Sequence, residues 1–157
     1  MMGRLRAADL VAGAGGLALI AAMFLHWYGL PVEVLATGGP SRPIEFTAWQ
    51  VFDVLDVVLT LLALVPLGLV LTQATRESPA IPALFSVLTI VAGALAALLI
   101  LYRIVNQPGP NAAIEVEAGA WLGLLAAAIV TAGGWRSTRD ERMPGAAPRP
   151  VEHMPAP

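Results

Sequence analysis

The chain has 157 residues, 57% hydrophobic and 13% charged, with a net charge of −2 and a mean hydropathy of +0.74. Soluble domains carry about 25% charged residues, and so short a chain has no interior large enough to hide this much apolar surface, so the composition calls for a bilayer as solvent. The slight negative charge leaves no electrostatic footprint for nucleic acid, and the absence of cysteine excludes disulfides, thiolate metal sites and thiol redox chemistry.

Four apolar stretches predict transmembrane helices over about residues 10–28, 50–72, 80–104 and 116–135. Each is near the ~20 residues that cross ~30 Å of hydrocarbon. The runs are continuous rather than alternating, which argues against a β-barrel. The expected fold is an all-α, four-helix antiparallel transmembrane bundle in residues 1–135. The first run follows Arg4 and Arg6, as a signal peptide would. It exceeds the roughly 7–15 residues of such a segment, and Val34-Leu-Ala36, the nearest small-residue site, lies well past its end, so it is expected to remain as a span. Gly29-Leu-Pro31 closes it. In the first outer loop, Val32–Leu35 and Ile44–Thr47 alternate weakly and allow a short β-hairpin. Thr47-Ala-Trp-Gln50 has the form of a capping box opening the second span, where Pro66 and Gly68 predict a kink. Ser78-Pro79 suits the start of the third span, and Gln107-Pro-Gly-Pro110 is a turn after it. Residues 136–157 are polar and proline-rich and are expected to form a disordered cytoplasmic tail.

Orientation follows from arginine. Arg4, Arg6, Arg76, Arg136, Arg139, Arg142 and Arg149 fall on one side of these spans, and only Arg42 and Arg103 on the other. The arginine-rich side is cytoplasmic by the positive-inside rule, which puts both termini inside. Trp27, Tyr28, Trp49 and Tyr102 would then form an outer aromatic belt, with Trp135 at the inner surface.

Small residues recur every four positions. Ala14, Ala18 and Ala22 mark the first span, Gly93 and Ala97 the third, and Gly119, Gly123 and Ala127 the fourth. Such seams allow the close backbone approach that drives helix association in lipid, within one bundle or between chains. The polar groups most in need of an explanation are Asp53 and Asp56, three apart and so on one helical face. Arg103 and His26 close neighbouring spans on the same outer side, so the four are expected to converge. Three readings stay open: an Asp–Arg clamp that fixes register, a polar site for an ion, proton or small ligand, and simple interfacial solvation. His26 reads more simply as an interfacial residue than as a ligand, because no second intramembrane histidine accompanies it, and no metal or cofactor set is expected. Thr60, Ser86, Thr89 and Thr131 can bond to their own helix backbone.

His-Trp-Tyr-Gly29, Trp49-Gln-Val-Phe-Asp-Val-Leu-Asp56, Leu101-Tyr-Arg-Ile-Val-Asn-Gln107 and Gly119-Ala-Trp-Leu-Gly-Leu124 together resemble a group of small four-span membrane proteins of high-GC bacteria. Trp27, Tyr28, Trp49, Asp56, Tyr102, Arg103 and Trp121 carry the likeness, over about residues 24–136. All nine basic residues are arginine and alanine is abundant, which suits such a genome. The resemblance implies the four-span architecture and no activity. The sequence contains no Gly-x-Ser-x-Gly, no phosphate-binding loop and no His-Glu-x-x-His. The function expected is therefore non-enzymatic: an inner-membrane protein acting by association, as an accessory subunit or homo-oligomer. The alternative is a small transporter, channel or ligand-binding protein using the Asp/Arg cluster.

Overall fold

A computed structural model of the chain describes residues 6–30, 44–75, 80–109 and 113–142. Helix α1 (Ala7–Met23) leads into strand β1 (His26–Leu30), and strand β2 (Ile44–Thr47) runs straight into the single turn α2 (Ala48–Val51). The long helices α3 (Leu55–Thr75) and α4 (Ala80–Val105) follow, then the short strand β3 (Glu115–Val116) and helix α5 (Ala118–Arg142). Among the described residues, three helices are long and apolar enough to cross a membrane: α3, α4 over 84–105 and α5 over 118–139. Apolar but shorter, α1 has 17 residues, about 26 Å at 1.5 Å per residue.

The four long helices form a ring in which α1 and α4 each pack against both α3 and α5. All three strands lie at one end of the ring as an antiparallel sheet, ordered β2-β1-β3. The second strand of the expected hairpin is Ile44–Thr47, but its partner is His26–Leu30; Val32–Leu35 lies outside the described residues, as do Ser78-Pro79 and residues 143–157.

Three expected boundaries are corrected, each for a local reason. The first helix ends at Met23 rather than Tyr28. Phe24 and Leu25 donate to the carbonyls of Ala21 and Ala22, tightening the last turn, and the Trp27 indole Nε1 donates to the same Ala22 carbonyl at 2.7 Å. Those bonds satisfy carbonyls that a helix end leaves orphaned, and the chain turns extended at His26. The second helix is broken. The Gln50 side chain accepts from the Thr47 N–H at 2.9 Å, as the capping box predicts, but only α2 follows before Phe52 becomes extended, and α3 starts at Leu55. The fourth helix continues beyond Trp135 to Arg142, so residues 136–142 are helical and not part of a disordered tail.

Glycine sets the closest helix crossings. A Cβ on Gly16 would lie 2.6 Å from the Ala63 carbonyl oxygen, beside Pro66 of α3, and one on Gly133 would lie 2.7 Å from the Ala12 nitrogen of α1. A Cβ on Gly93 would meet the Thr131 nitrogen at 2.7 Å, where α4 crosses α5. The buried stripe of α1 includes Ala8, Ala12, Leu19 and Met23. Of the expected seam on this helix, Ala22 is buried, while Ala14 and Ala18 face outward, away from the ring. Gly119 and Gly123 admit β1. A Cβ on Gly119 would lie 2.5 Å from the His26 carbonyl oxygen and 2.6 Å from the Trp27 indole, and one on Gly123 2.9 Å from the same indole, so the two glycines form the notch that takes the β1 backbone and seats this ring. Ala127, one turn further, lies in the same core.

Gly119→Ala should therefore destabilise the protein by about 1–3 kcal/mol, the usual cost of overpacking. Gly68→Ala should be neutral or stabilising by up to about 1 kcal/mol, because its nearest neighbour, Phe85 Cε1, would stay at an ordinary 3.5 Å and alanine is the better helix former. Thermal unfolding of both variants in one detergent checks this; equal losses would contradict the notch.

Candidate functional site

Among the described residues no ion pair or hydrogen bond joins any two of the four residues expected to converge. His26 lies on the exposed edge of β1, where its Nδ1 pairs with Glu45 Oε2 of β2 at 2.9 Å; both side chains are more than one-third exposed, so the pair contributes little. Asp53 sits exposed in the break between α2 and α3. Asp56 is buried in the first turn of α3, where its Oδ1 accepts from the Val57 N–H at 2.7 Å and the positive end of the helix favours its charge. Asp53 and Asp56 therefore do not share one helical face. Among the described residues no ion pair joins Arg103 to either aspartate.

Arg103 is engaged otherwise. Its guanidinium stands 4.9 Å from the centre of the Phe52 ring. Phe52 in turn meets Trp27 and Tyr28 edge to face, at 5.6 and 6.0 Å between centroids. The Tyr28 hydroxyl donates to the Arg103 carbonyl at 2.9 Å. The result is an aromatic column capped by a cation, tying β1, the α2–α3 break and the end of α4 into one piece. Trp27 and Tyr28, expected in an interfacial belt, are instead fully buried within it. Trp49, Tyr102 and Trp135 do remain exposed.

Between β1, β2, α2 and the turn after α4 lies a cavity of about 340 Å³, with Tyr28, Phe46, Gln50 and Ile114 among its lining. Burial pushes the Tyr28 phenol up from its usual 10 to about 12, with Arg103 pulling weakly the other way. A raised folded-state pKa means stability is complete below about pH 10 and is lost as pH rises from there through about 12. Tyr28→Phe should flatten part of that decline and lower stability at neutral pH by about 1 kcal/mol through the lost hydrogen bond. Melting temperature measured between pH 8 and 12 tests both effects; identical profiles for the two proteins would refute them.

At the opposite end of the ring is a polar chain that the sequence reading did not single out. Asp9, in the first turn of α1, is fully buried. Its Oδ1 accepts from the Ser137 hydroxyl of α5 at 2.6 Å, and its Oδ2 from the Arg6 N–H at 3.3 Å. Ser137 also lies 3.0 Å from the Ser86 hydroxyl of α4, so three helices are joined through side chains. Asp9 resembled an ordinary charge before an apolar run, and Ser137 fell in the expected tail. No local signature marks Asp9, because Arg6 at the N-cap is not one of the Ser, Thr, Asp or Asn residues that announce a helix start. Thr60, Thr89 and Thr131 bond to carbonyls of their own helices, as expected.

These groups can hold helices in register. Fully buried Ser137 and Asp9 offer a substrate no access, and among the described residues no three His, Asp or Glu side chains are placed to hold a metal ion. No protein-family model matches the chain, and no curated protein or solved structure matches it.

If the Asp9 chain is a clamp, Asp9→Ala and Ser137→Ala should each cost about 1.5–3 kcal/mol, as for hydrogen bonds to a charged group, and the double variant should cost clearly less than their sum. Denaturation of the set in detergent measures the coupling, and strict additivity would dismiss the clamp.

Proposed function

We propose that the chain is a four-span protein of a bacterial inner membrane, with both termini in the cytoplasm, that acts without catalysis by associating with a second copy or another membrane chain through α1. Four spans are favoured over three because α1 packs between α3 and α5, both long enough to cross, and so shares their depth. The arginine distribution supports the orientation, and the resemblance to four-span proteins of high-GC bacteria fits the same topology.

The observation that carries the association reading is the outward-facing Ala14 and Ala18. Of the small residues expected in seams, Ala22, Gly93, Gly119, Gly123 and Ala127 are buried within the bundle, while Ala14 and Ala18 lie on its surface. Ala18 and Ala22 border a shallow groove of about 300 Å³ toward α5, walled by Leu25, Leu122 and Leu125. A helix from another chain can approach closely there, which is how helices bind in lipid. The transport or ligand-binding alternative has less support, because among the described residues no ion pair joins His26, Asp53, Asp56 and Arg103 to one another.

The chain contains no cysteine, so single-cysteine variants test this directly. In native membranes Ala18→Cys should cross-link, to itself or to a partner, at least several-fold more than Leu84→Cys on the exposed face of α4. Equal cross-linking would remove the association reading. Glu45→Cys should react with an impermeant maleimide in intact cells, and Arg6→Cys only after permeabilisation; labelling of Arg6→Cys from outside would remove the four-span topology.

A further inference from the structure

On the outward side of the α4–α5 seam runs a second, larger groove of about 640 Å³, between Ala97 and Leu101 of α4 and Leu124, Ala128 and Ala132 of α5. Trp135 closes its arginine-rich end. The same indole is one wall of a smaller recess of about 270 Å³, formed with Val87, Ile90, Thr138 and Arg139. The two recesses therefore make one lane along α4 from Leu101 to Val87, about 21 Å by helical rise. That exceeds the ~15 Å of hydrocarbon in one leaflet. The lane is apolar until its end, where a single cation stands.

That cation is held in place. The Arg139 guanidinium lies 5.3 Å from the centre of the Trp135 ring, a cation–π contact that engages one face of the guanidinium plane rather than its N–H edges. Among the described residues no carboxylate forms an ion pair with Arg139. The Thr138 hydroxyl donates to the Trp135 carbonyl and so offers the mouth no donor of its own. Alanines set the floor of the lane back from the surface, while Leu101 and Trp135 project beside it.

We propose that this lane binds one anionic glycerophospholipid of the cytoplasmic leaflet, an acyl chain lying along the α4–α5 seam and the headgroup phosphate paired with the Arg139 guanidinium. The charge pattern favours a lipid over a partner helix: apolar length with one positive end complements an amphiphile with one negative end, and guanidinium edges match phosphate oxygens in a bidentate fork. The proposal rests on α4 and α5 crossing the membrane. Cysteine labelling tests that reading separately, whereas the experiment here reads lipid selectivity.

Native mass spectrometry of the full chain in detergent, titrated with phosphatidylglycerol or phosphatidylcholine of identical chains, tests it. Wild type should retain one phosphatidylglycerol with about fivefold preference, the ratio expected for one arginine near an anionic surface. Arg139→Gln should bring the preference close to parity, and Ala128→Leu, which fills the lane, should reduce retention of both lipids. Arg136→Gln, altering an exposed neighbour outside the lane, should leave the preference intact, and inorganic phosphate should not displace the lipid. Equal retention of the two lipids by wild type overturns the proposal, as does an unchanged preference in Arg139→Gln or displacement by phosphate alone. A chain dimer lost in Ala128→Leu while lipid adducts persist would assign the lane to protein and overturn it as well.

Discussion

The Trp27 side chain is the constraint on which the sheet end of the molecule depends. Its Nε1 takes the Ala22 carbonyl, its backbone carbonyl accepts from the Glu117 N–H at 2.9 Å, and its ring fills the notch made by Gly119 and Gly123. One residue thereby ends α1, anchors the start of α5 and turns the chain into β1. In a low-dielectric surrounding an unsatisfied carbonyl costs several kcal/mol, so a helix that stops short needs a replacement donor, and the indole is one. Phe52 meets the Trp27 ring edge to face and is itself buried, and its backbone is extended where the second helix is interrupted after α2. Arg103 then closes the column over Phe52, which accounts for a cation at the end of α4 without an acidic partner.

The two ends of the ring are held by different chemistry. At the sheet end, aromatic edges and backbone bonds do the joining, and the polar side chains His26, Glu45 and Asp53 stay exposed. At the other end a fully buried carboxylate joins three helices through two serines. Burying Asp9 is tolerable because both oxygens accept hydrogen bonds and the helix N-terminus supplies a favourable field. Between the ends, contact is made by glycine and alanine, where backbones come close enough for dispersion to substitute for a hydrophobic drive that lipid does not provide.

How much of this was legible in the sequence follows from what a period can report. Long apolar runs identified α3, α4 and α5, and the capping box at Thr47–Gln50 located a true helix start. The stretch from Phe24 to Tyr28 continues an apolar run without marking its change from helix to strand, so hydropathy alone carried the first helix too far. Aspartates three apart share a face only if the helix is unbroken, and the break over Phe52-Asp53-Val54 contains no Gly or Pro to announce it. The glycine pair at 119 and 123 was recognised as a close approach, but spacing cannot tell whether a backbone or an indole fills the gap. Asp9 and Ser137 are 128 positions apart, and no local pattern connects them.

These placements shift the search for function from the interior to the surface. A bundle that transports or binds a small polar solute keeps ionisable groups facing a wet cavity. Here Asp9 and Asp56 are hydrogen-bonded at helix starts, Arg103 lies on Phe52, and His26 and Asp53 face outward. The outward small residues of α1 and the apolar lane between α4 and α5 lie on different flanks of the ring, separated by α5 itself. Occupying one does not block the other. A lipid in the lane would cover the α4–α5 seam, leaving the α1 flank as the surface for contact with another chain. The two proposals thus concern separate surfaces of one bundle, the outward Ala14 and Ala18 on one flank and Arg139 with the exposed Ala128 and Ala132 on the other.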